Sequence, residues 1–171
     1  MTKANSEFHK LLQEQIEHEL ASSNQYLAMF IHYDNLDMPQ MASVFKTHAT
    51  EEYNHAMQMI QYLQDANIKP DVPAVPAVPA VRNDYDGIVE PVREALKQEQ
   101  FVTAKIDKLA RVARDSYDFP GESFIKKFVD EQLEEEAYFN RLLTIVEAKG
   151  ATVFEVENWV AREIAAAGTA N

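Results

Sequence analysis

The chain has 171 residues and no cysteine, and its 28 acidic side chains outnumber its 16 basic ones, which gives a formal net charge of −12 at pH 7. The lack of cysteine excludes disulfides, thiolate-bound zinc, cysteine-ligated iron and thiol catalysis, so a metal ion would have to be bound by Asp, Glu, His or water. The negative charge disfavours nucleic acid as a partner and favours cations.

Neither a secretory signal nor a membrane span is predicted. The first residues alternate between charged and apolar side chains, without the apolar core of a signal peptide. No run of apolar residues approaches the roughly 20 that a membrane-spanning helix needs. We therefore expect a cytoplasmic protein that does not enter the membrane.

The composition favours long helices, because the chain has only four glycines and four of its seven prolines lie in one short stretch. The 3.6-residue period of the apolar positions predicts five helices, over about residues 5–34, 38–66, 91–116, 122–149 and 152–166. At the helix ends, we expect Asp37 to cap the second helix, Phe119-Pro120-Gly121 to interrupt the chain before the fourth, Gly150 to follow the fourth, and Thr152 to cap the fifth.

Residues 67–90 are predicted to form an extended crossover. Proline recurs at every third position in a Val-Pro-Ala repeat between Val72 and Val81, and this spacing forbids a helix and suits a polyproline-like strap. A link of this length can travel the full length of a bundle, so the second and third helices are expected to run parallel. The predicted fold is a single all-α domain over residues 1–171, a four-helix bundle of two antiparallel hairpins with a long crossover between helices two and three and a short fifth helix.

Each long helix has an apolar stripe that carries a glutamate near its middle, namely Glu19, Glu52, Glu99 and Glu135. The stripe predicted for the fourth helix consists of Phe124, Phe128, Glu131, Glu135, Tyr138, Leu142 and Ile145. No Lys or Arg falls on any of the four stripes, so these carboxylates would meet in a core without a basic partner. Burying unpaired like charges is costly and raises carboxylate pKa values, so a cation is expected among them.

One histidine completes this set of candidate ligands. Glu52-Tyr53-Asn54-His55 places a carboxylate and an imidazole at positions i and i+3, on the same face of one helix. Together with the other three glutamates, this pair predicts a carboxylate-bridged centre for two metal ions, and hard oxygen ligands with one imidazole suit iron or manganese. His48 lies on the same stripe and could be a further ligand, but we interpret it as a core histidine satisfied by hydrogen bonds.

The sequence resembles the non-haem bacterial ferritins over essentially its whole length. The matching segments are Gln-Ile-Glu-His-Glu-Leu-Ala-Ser-Ser-Asn-Gln-Tyr (15–26), His-Ala-Thr-Glu-Glu-Tyr-Asn-His (48–55), Gln-Glu-Gln (98–100) and Glu-Gln-Leu-Glu-Glu-Glu (131–136). The resemblance implies a ferritin-like fold in which Glu19, Glu52 and His55 hold one iron and Glu52, Glu99 and Glu135 hold the other, with Glu52 as the bridge. It also implies that Gln132 and Tyr26 stand beside this centre, and that Glu51, Glu131 and Glu134, with Glu135 shared, form a third iron site toward the inner surface.

Two departures separate this chain from the bacterioferritins, and the second indicates that it binds no haem. Bacterioferritins carry a second Glu-x-x-His pair in the fourth helix, where this chain has Tyr138. They also bind haem through a methionine that follows the bridging glutamate, where this chain has Tyr53.

The resemblance implies a homo-oligomer, a hollow shell of 24 subunits, that acts as a ferroxidase on Fe(II) with O₂ or H₂O₂ and stores the ferric product as a mineral. Two alternatives stay open. A di-iron oxidase of the ferritin-like superfamily would use the same ligands on another substrate, without a cage, and would need an apolar substrate pocket beside the metal ions. A metal-free structural bundle would leave the four buried glutamates unexplained.

Overall fold

The computed structural model describes residues 6–73 and 81–168. These residues form five helices and no strand, which are α1 (Glu7–Asn35), α2 (Pro39–Asp65), α3 (Glu90–Asp115), α4 (Phe119–Val146) and α5 (Val153–Gly168). The predicted all-α fold with four long helices and a short fifth is confirmed. Most of the Val-Pro-Ala repeat and the predicted first helical residue, Asn5, lie outside the described residues. No helix in the described ranges combines the length and apolar character that a bilayer span requires.

The described parts of the crossover, before residue 74 and after residue 80, contact α1 near its start and near its end. The Gln13 side chain donates a hydrogen bond of 2.7 Å to the carbonyl oxygen of Asp71, just after α2. The Tyr33 hydroxyl donates one of 2.7 Å to the carbonyl oxygen of Ile88, just before α3. Tyr33 lies near the end of α1, and α2, which packs against α1, begins there. The chain is therefore back at the end of the bundle where α2 began when it enters α3. Helices α2 and α3 therefore run parallel, as predicted.

The α4 helix begins earlier than the sequence predicts. Asp118 caps it by accepting a hydrogen bond of 3.3 Å from the backbone N–H of Gly121. Pro120 lies in the first turn, where a missing N–H donor costs nothing. The predicted interruption at Phe119-Pro120-Gly121 is therefore wrong, because a proline and a cap at these positions begin a helix. The helix ends at Val146, and Gly150 lies beyond it in a turn, at a φ of +82°.

The cap predicted for the second helix does not form, whereas the cap predicted for the fifth helix does. Asp37 adopts a φ of +55° in the turn before α2, and the N-cap residue Met38 makes no side-chain capping bond. The predicted cap by Asp37 is therefore wrong. Thr152 does cap α5, because its Oγ1 accepts from the backbone N–H of Glu155 at 3.3 Å, while the Glu155 carboxylate accepts from the Thr152 N–H at 2.9 Å.

Two apolar clusters occupy the two halves of the bundle, and the carboxylates lie between them. One cluster includes Tyr26, Met29, Phe45, Leu96 and Phe139. The other includes Leu12, Ile16, Ala56, Val102 and Phe128. On each of α1, α2 and α3, a buried glutamate lies between the residues of one cluster and those of the other, as the stripes predict.

The buried stripe of α4 lies one residue away from the predicted one over much of its length. Its buried residues are Gly121, Ile125, Phe128, Gln132, Phe139, Leu142 and Val146. Adjacent apolar pairs such as Phe124 with Ile125, and Tyr138 with Phe139, fit either register, so the pattern alone does not choose between them. As a result Gln132 is the fully buried residue at mid-helix, and Glu135 lies at the edge of the buried face with a side chain 21% exposed.

Candidate metal centre

The α1 helix contributes Glu19, whose carboxylate is buried and has a hydrogen-bond partner at only one of its two oxygens. Its Oε1 accepts a hydrogen bond of 2.8 Å from Gln15, one turn earlier on the same helix. Its Oε2 is buried without a hydrogen-bond partner. Burial first, and the nearby Glu52 charge second, raise the pKa of Glu19 well above its ordinary value. An orphaned carboxylate oxygen of this kind is what a bound cation would satisfy.

The α2 helix contributes Glu52 and His55, which share one face as the i, i+3 spacing predicts. His55 Nδ1 lies 3.3 Å from Glu52 Oε2 and 4.0 Å from Glu19 Oε2. One ligand atom from each of these three residues lies within 4.8 Å of the others. Burial raises the pKa of Glu52, and the charges of Glu99 and Glu135 raise it further. The three residues predicted for the first ion therefore lie together in the folded chain.

The α3 helix contributes Glu99, which is fully buried. The Tyr26 hydroxyl donates a hydrogen bond to Glu99 Oε1, and the Gln132 side chain donates one of 2.9 Å to Glu99 Oε2. These donors favour the carboxylate, but burial has the larger effect and raises the pKa of Glu99. The structure thus places both Tyr26 and Gln132 in direct contact with a predicted ligand.

The α4 helix contributes Glu135, whose pKa rises to about 8 because of burial and the neighbouring charges of Glu99 and Glu51. Glu131 and Glu134 also raise this pKa. Glu131 is 46% exposed, and its Oε2 lies 3.4 Å from His55 Nε2. The four residues predicted for a third site therefore interact electrostatically, although Glu131 contacts the first group of ligands.

His48 lies next to two of the predicted ligands. Its Nδ1 is 3.3 Å from Glu135 Oε2 and 3.5 Å from Glu51 Oε2, and these three residues form the second group of converging ligand atoms. Burial lowers the pKa of His48 to about 4, so the imidazole is neutral at pH 7. The sequence places it in the core but misses these contacts. The signal was the His48-x-x-Glu51 spacing, which puts both side chains on one face of α2.

Within the described residues, the ion-pair partners of the centre are histidines. Among the ion pairs of the described residues, none joins Glu19, Glu52, Glu99 or Glu135 to Lys or Arg. Four carboxylates with one or two imidazoles make a hard, oxygen-rich donor set, which fits iron or manganese. The charge of bound cations would remove the repulsion that raises the carboxylate pKa values.

Comparisons with known proteins point to one family. The sequence profile of the Ferritin family, described as a ferritin-like domain, matches residues 9–148. The chain is 42% identical over 166 residues to Ferritin BfrB of Mycobacterium tuberculosis, covering 97% of this chain and 90% of that protein. It is 34% identical over 128 residues to a Bacterial non-heme ferritin of Staphylococcus aureus, covering 75% of each.

The chain belongs to the ferritin family. The predicted relation to the bacterial non-haem ferritins is thereby confirmed, and membership supports iron binding, iron storage and assembly with copies of itself. The fold agrees with solved ferritins. The open pore ferritin of the archaeon Archaeoglobus fulgidus superposes with a TM-score of 0.83 at 21% identity, over 94% of this chain and 98% of that one. The M. penetrans ferritin superposes with a TM-score of 0.85 at 17% identity, over 95% and 98%.

Proposed function

We propose that this ferritin oxidises Fe(II) to Fe(III) at a carboxylate-bridged di-iron centre and stores the product as a ferric mineral. The observation that carries the proposal is that Glu19, Glu52 and His55 converge at the middle of the bundle, where the charges of Glu99 and Glu135 act on Glu52. Within the described residues, no Lys or Arg forms an ion pair with these carboxylates. Such a cluster is costly to bury unless cations occupy it. Iron is here the substrate.

Each ligand has a role that its position supports. Glu19 and His55 bind one Fe(II), Glu99 and Glu135 bind the other, and Glu52 bridges the two ions. Gln132 and Tyr26 fix the orientation of the Glu99 carboxylate through the hydrogen bonds that they donate to it. Holding two ions together lets one oxidant collect electrons from both.

The reaction balances with either oxidant. Two Fe(II) ions each lose one electron, and O₂ takes up two electrons and two protons to leave as H₂O₂. With H₂O₂ as the oxidant, the same two electrons and two protons yield two molecules of water. The ferric ions then leave the centre, hydrolyse and add to the mineral.

A third iron site beside the pair would pass ions between the centre and the interior. Glu51, Glu131 and Glu134, with Glu135 shared, are the residues that we assign to it. Their support is electrostatic, because Glu51, Glu131 and Glu134 all raise the pKa of Glu135. Surplus carboxylates of this kind attract the next cation.

We further propose that 24 copies of the chain assemble as a closed, hollow shell in the cytoplasm. The charge of −12 per chain suits channels and an inner wall that attract Fe(II). The reducing cytosol suits a ferrous substrate.

The alternative is a di-iron oxidase that acts on another substrate without a cage. It would need an apolar pocket beside the metal ions. In the part of the chain that the structure describes, the cavity next to the ligands has apolar side chains such as Val44 and Ile164 in its wall, but Glu51, Glu134 and Glu135 line it as well. More carboxylates beside the centre favour the passage of iron over the binding of an organic substrate.

Aerobic iron loading with a particle-size measurement tests the proposal. Purified apoprotein given Fe(II) in portions should turn amber and retain hundreds of iron atoms per particle, as in other ferritins, on particles of shell size by light scattering. Asp130→Ala is a suitable control, because Asp130 is an exposed acid that pairs with Lys126 and lies outside the ligand groups. Uptake that stops near two irons per chain, on particles of monomer or dimer size, would favour the alternative oxidase.

A further inference from the structure

Gln15 is a buried amide that holds one oxygen of the Glu19 carboxylate. The two residues are four positions apart on α1, and each is only 1% exposed. Long side chains in a helix lean toward its N-terminus, so the Glu19 carboxylate reaches back toward the residue one turn earlier. Gln15 Nε2 donates a hydrogen bond of 2.8 Å to Glu19 Oε1. Because both side chains are buried, solvent cannot replace this donor.

The hydrogen bond leaves the second oxygen of Glu19 for the candidate ligands of α2. Within the described residues, Glu19 Oε2 is buried without a hydrogen-bond partner. It lies 4.0 Å from His55 Nδ1. The two oxygens of this carboxylate therefore have different surroundings, with an amide donor at Oε1 and the other candidate ligands at Oε2.

A glutamine also holds the α3 carboxylate of the second proposed ion position. Gln132 is 4% exposed and donates a hydrogen bond of 2.9 Å to Glu99 Oε2. Gln132 and Glu99 lie on different helices, whereas Gln15 and Glu19 lie on the same one. A buried amide thus faces a ligand carboxylate on each side of the centre, although only Gln132 is predicted from the sequence to stand there.

We propose that Gln15 is a positioning residue that makes Glu19 a one-oxygen ligand of the first iron. The inference rests on the proposed function, in which Glu19, Glu52 and His55 hold that ion. Because the amide engages Oε1, Glu19 supplies Oε2 alone, and one coordination position of the ion stays open for another ligand. An amide suits this role because it donates a hydrogen bond without adding charge to a centre of four carboxylates.

Zinc binding to the purified apoprotein tests the proposal without any turnover. Zn(II) is a stand-in that does not change oxidation state. Gln15→Met keeps the length of the side chain but removes the donor, and it should weaken zinc binding at the position of Glu19 by about 10–100-fold in a calorimetric titration. Gln13→Met is the matched control, because Gln13 lies on the same helix and donates its hydrogen bond to the Asp71 carbonyl oxygen instead. This control should keep the wild-type affinity.

Crystal structures with zinc bound distinguish positioning from a general effect on the fold. In the wild type, the ion should lie about 2.0–2.2 Å from Glu19 Oε2, while Oε1 keeps its hydrogen bond to Gln15. In Gln15→Met, the freed carboxylate should turn so that both of its oxygens approach the ion. A residue that only stabilises the helix would not change this binding mode.

The outcomes separate the two proposals. Unchanged zinc affinity in Gln15→Met, with Glu19 still bound through one oxygen, would overturn the role of Gln15 and leave the proposed function intact. Equal losses of affinity in Gln15→Met and Gln13→Met would also overturn it, because the loss would then come from a weaker α1 helix. If wild-type protein binds no zinc at Glu19, Glu52 and His55, the proposed di-iron function itself fails.

Discussion

Gln132 Nε2 lies 2.9 Å from Glu99 Oε2, and this hydrogen bond links α4 to α3 at the centre of the bundle. Gln132→Glu should therefore destabilise the apoprotein at pH 8 by about 1–3 kcal/mol, because it replaces a donor with a second carboxylate in a buried position. Chemical denaturation at pH 8 and at pH 4 checks this. The difference should shrink at pH 4, where the introduced carboxyl group is protonated and can donate again, and an equal loss at both pH values would contradict the account.

The stability of the apoprotein should fall as the pH rises. Burial and like charges raise the pKa of Glu135 from about 4.5 to about 8, so the folded chain holds a proton that the unfolded chain has lost. Between these two pH values the folded state binds more protons, and the free energy of unfolding therefore decreases with increasing pH. Thermal melts of metal-free protein from pH 5 to pH 8 measure this slope.

Glu135→Gln provides the control for that slope. The variant lacks the titrating group, so its melting temperature should depend less on pH than that of the wild type. Glu136→Gln, at the next position, should keep the wild-type slope. Equal slopes in wild type and Glu135→Gln would show that Glu135 is not buried as a protonated acid.

Removing a metal ligand should have opposite effects on the stability of the apoprotein and of the metal-loaded protein. Glu52 is 3% exposed and lies among other carboxylates, and within the described residues its ion-pair partner is His55 and not Lys or Arg, so Glu52→Ala should raise the apo melting temperature or leave it unchanged. With Zn(II) bound, the wild type should be the more stable protein, since a ligand that binds only the native state adds stability. A large loss of apo stability in Glu52→Ala would instead identify Glu52 as a structural hydrogen-bonding residue.

The protein should bind no haem. Tyr53 follows the proposed bridging Glu52, at the position where bacterioferritins have a methionine ligand, and its side chain is half exposed. Protein expressed in haem-replete cells should show no Soret band. A stoichiometric band that disappears on changing a residue of the 52–55 face would reverse this assignment.

The sequence predicts the bundle well because the apolar periodicity of each long helix extends over many turns and recurs in all four. The α1 stripe through Leu12, Glu19 and Tyr26 is buried as expected. The α4 stripe could not be placed in the same way, because neighbouring apolar residues such as Tyr138 and Phe139 satisfy two registers. Gln132 faces the core because of the way the helices pack against one another, and sequence periodicity does not specify that packing.

The candidate site was predictable in its residues but not in all of its contacts. Spacing along α2 brings Glu52 and His55 together, and packing of α1 adds Glu19. The pairing of Glu131 with His55, and of His48 with Glu135, depends on the rotamers of long side chains on different helices. Sequence periodicity carries no information about these rotamers.

The rate of Fe(II) oxidation by assembled apoprotein, measured by stopped flow at two irons per chain, tests the di-iron assignment most directly. Glu52→Ala removes the proposed bridge and should slow the initial oxidation by at least about 100-fold, since even indirect supports of a metal site are worth about 10–100-fold. Glu134→Ala should leave this first phase largely intact and slow only later additions of iron. Fast initial oxidation by Glu52→Ala, at the wild-type rate, would contradict the account.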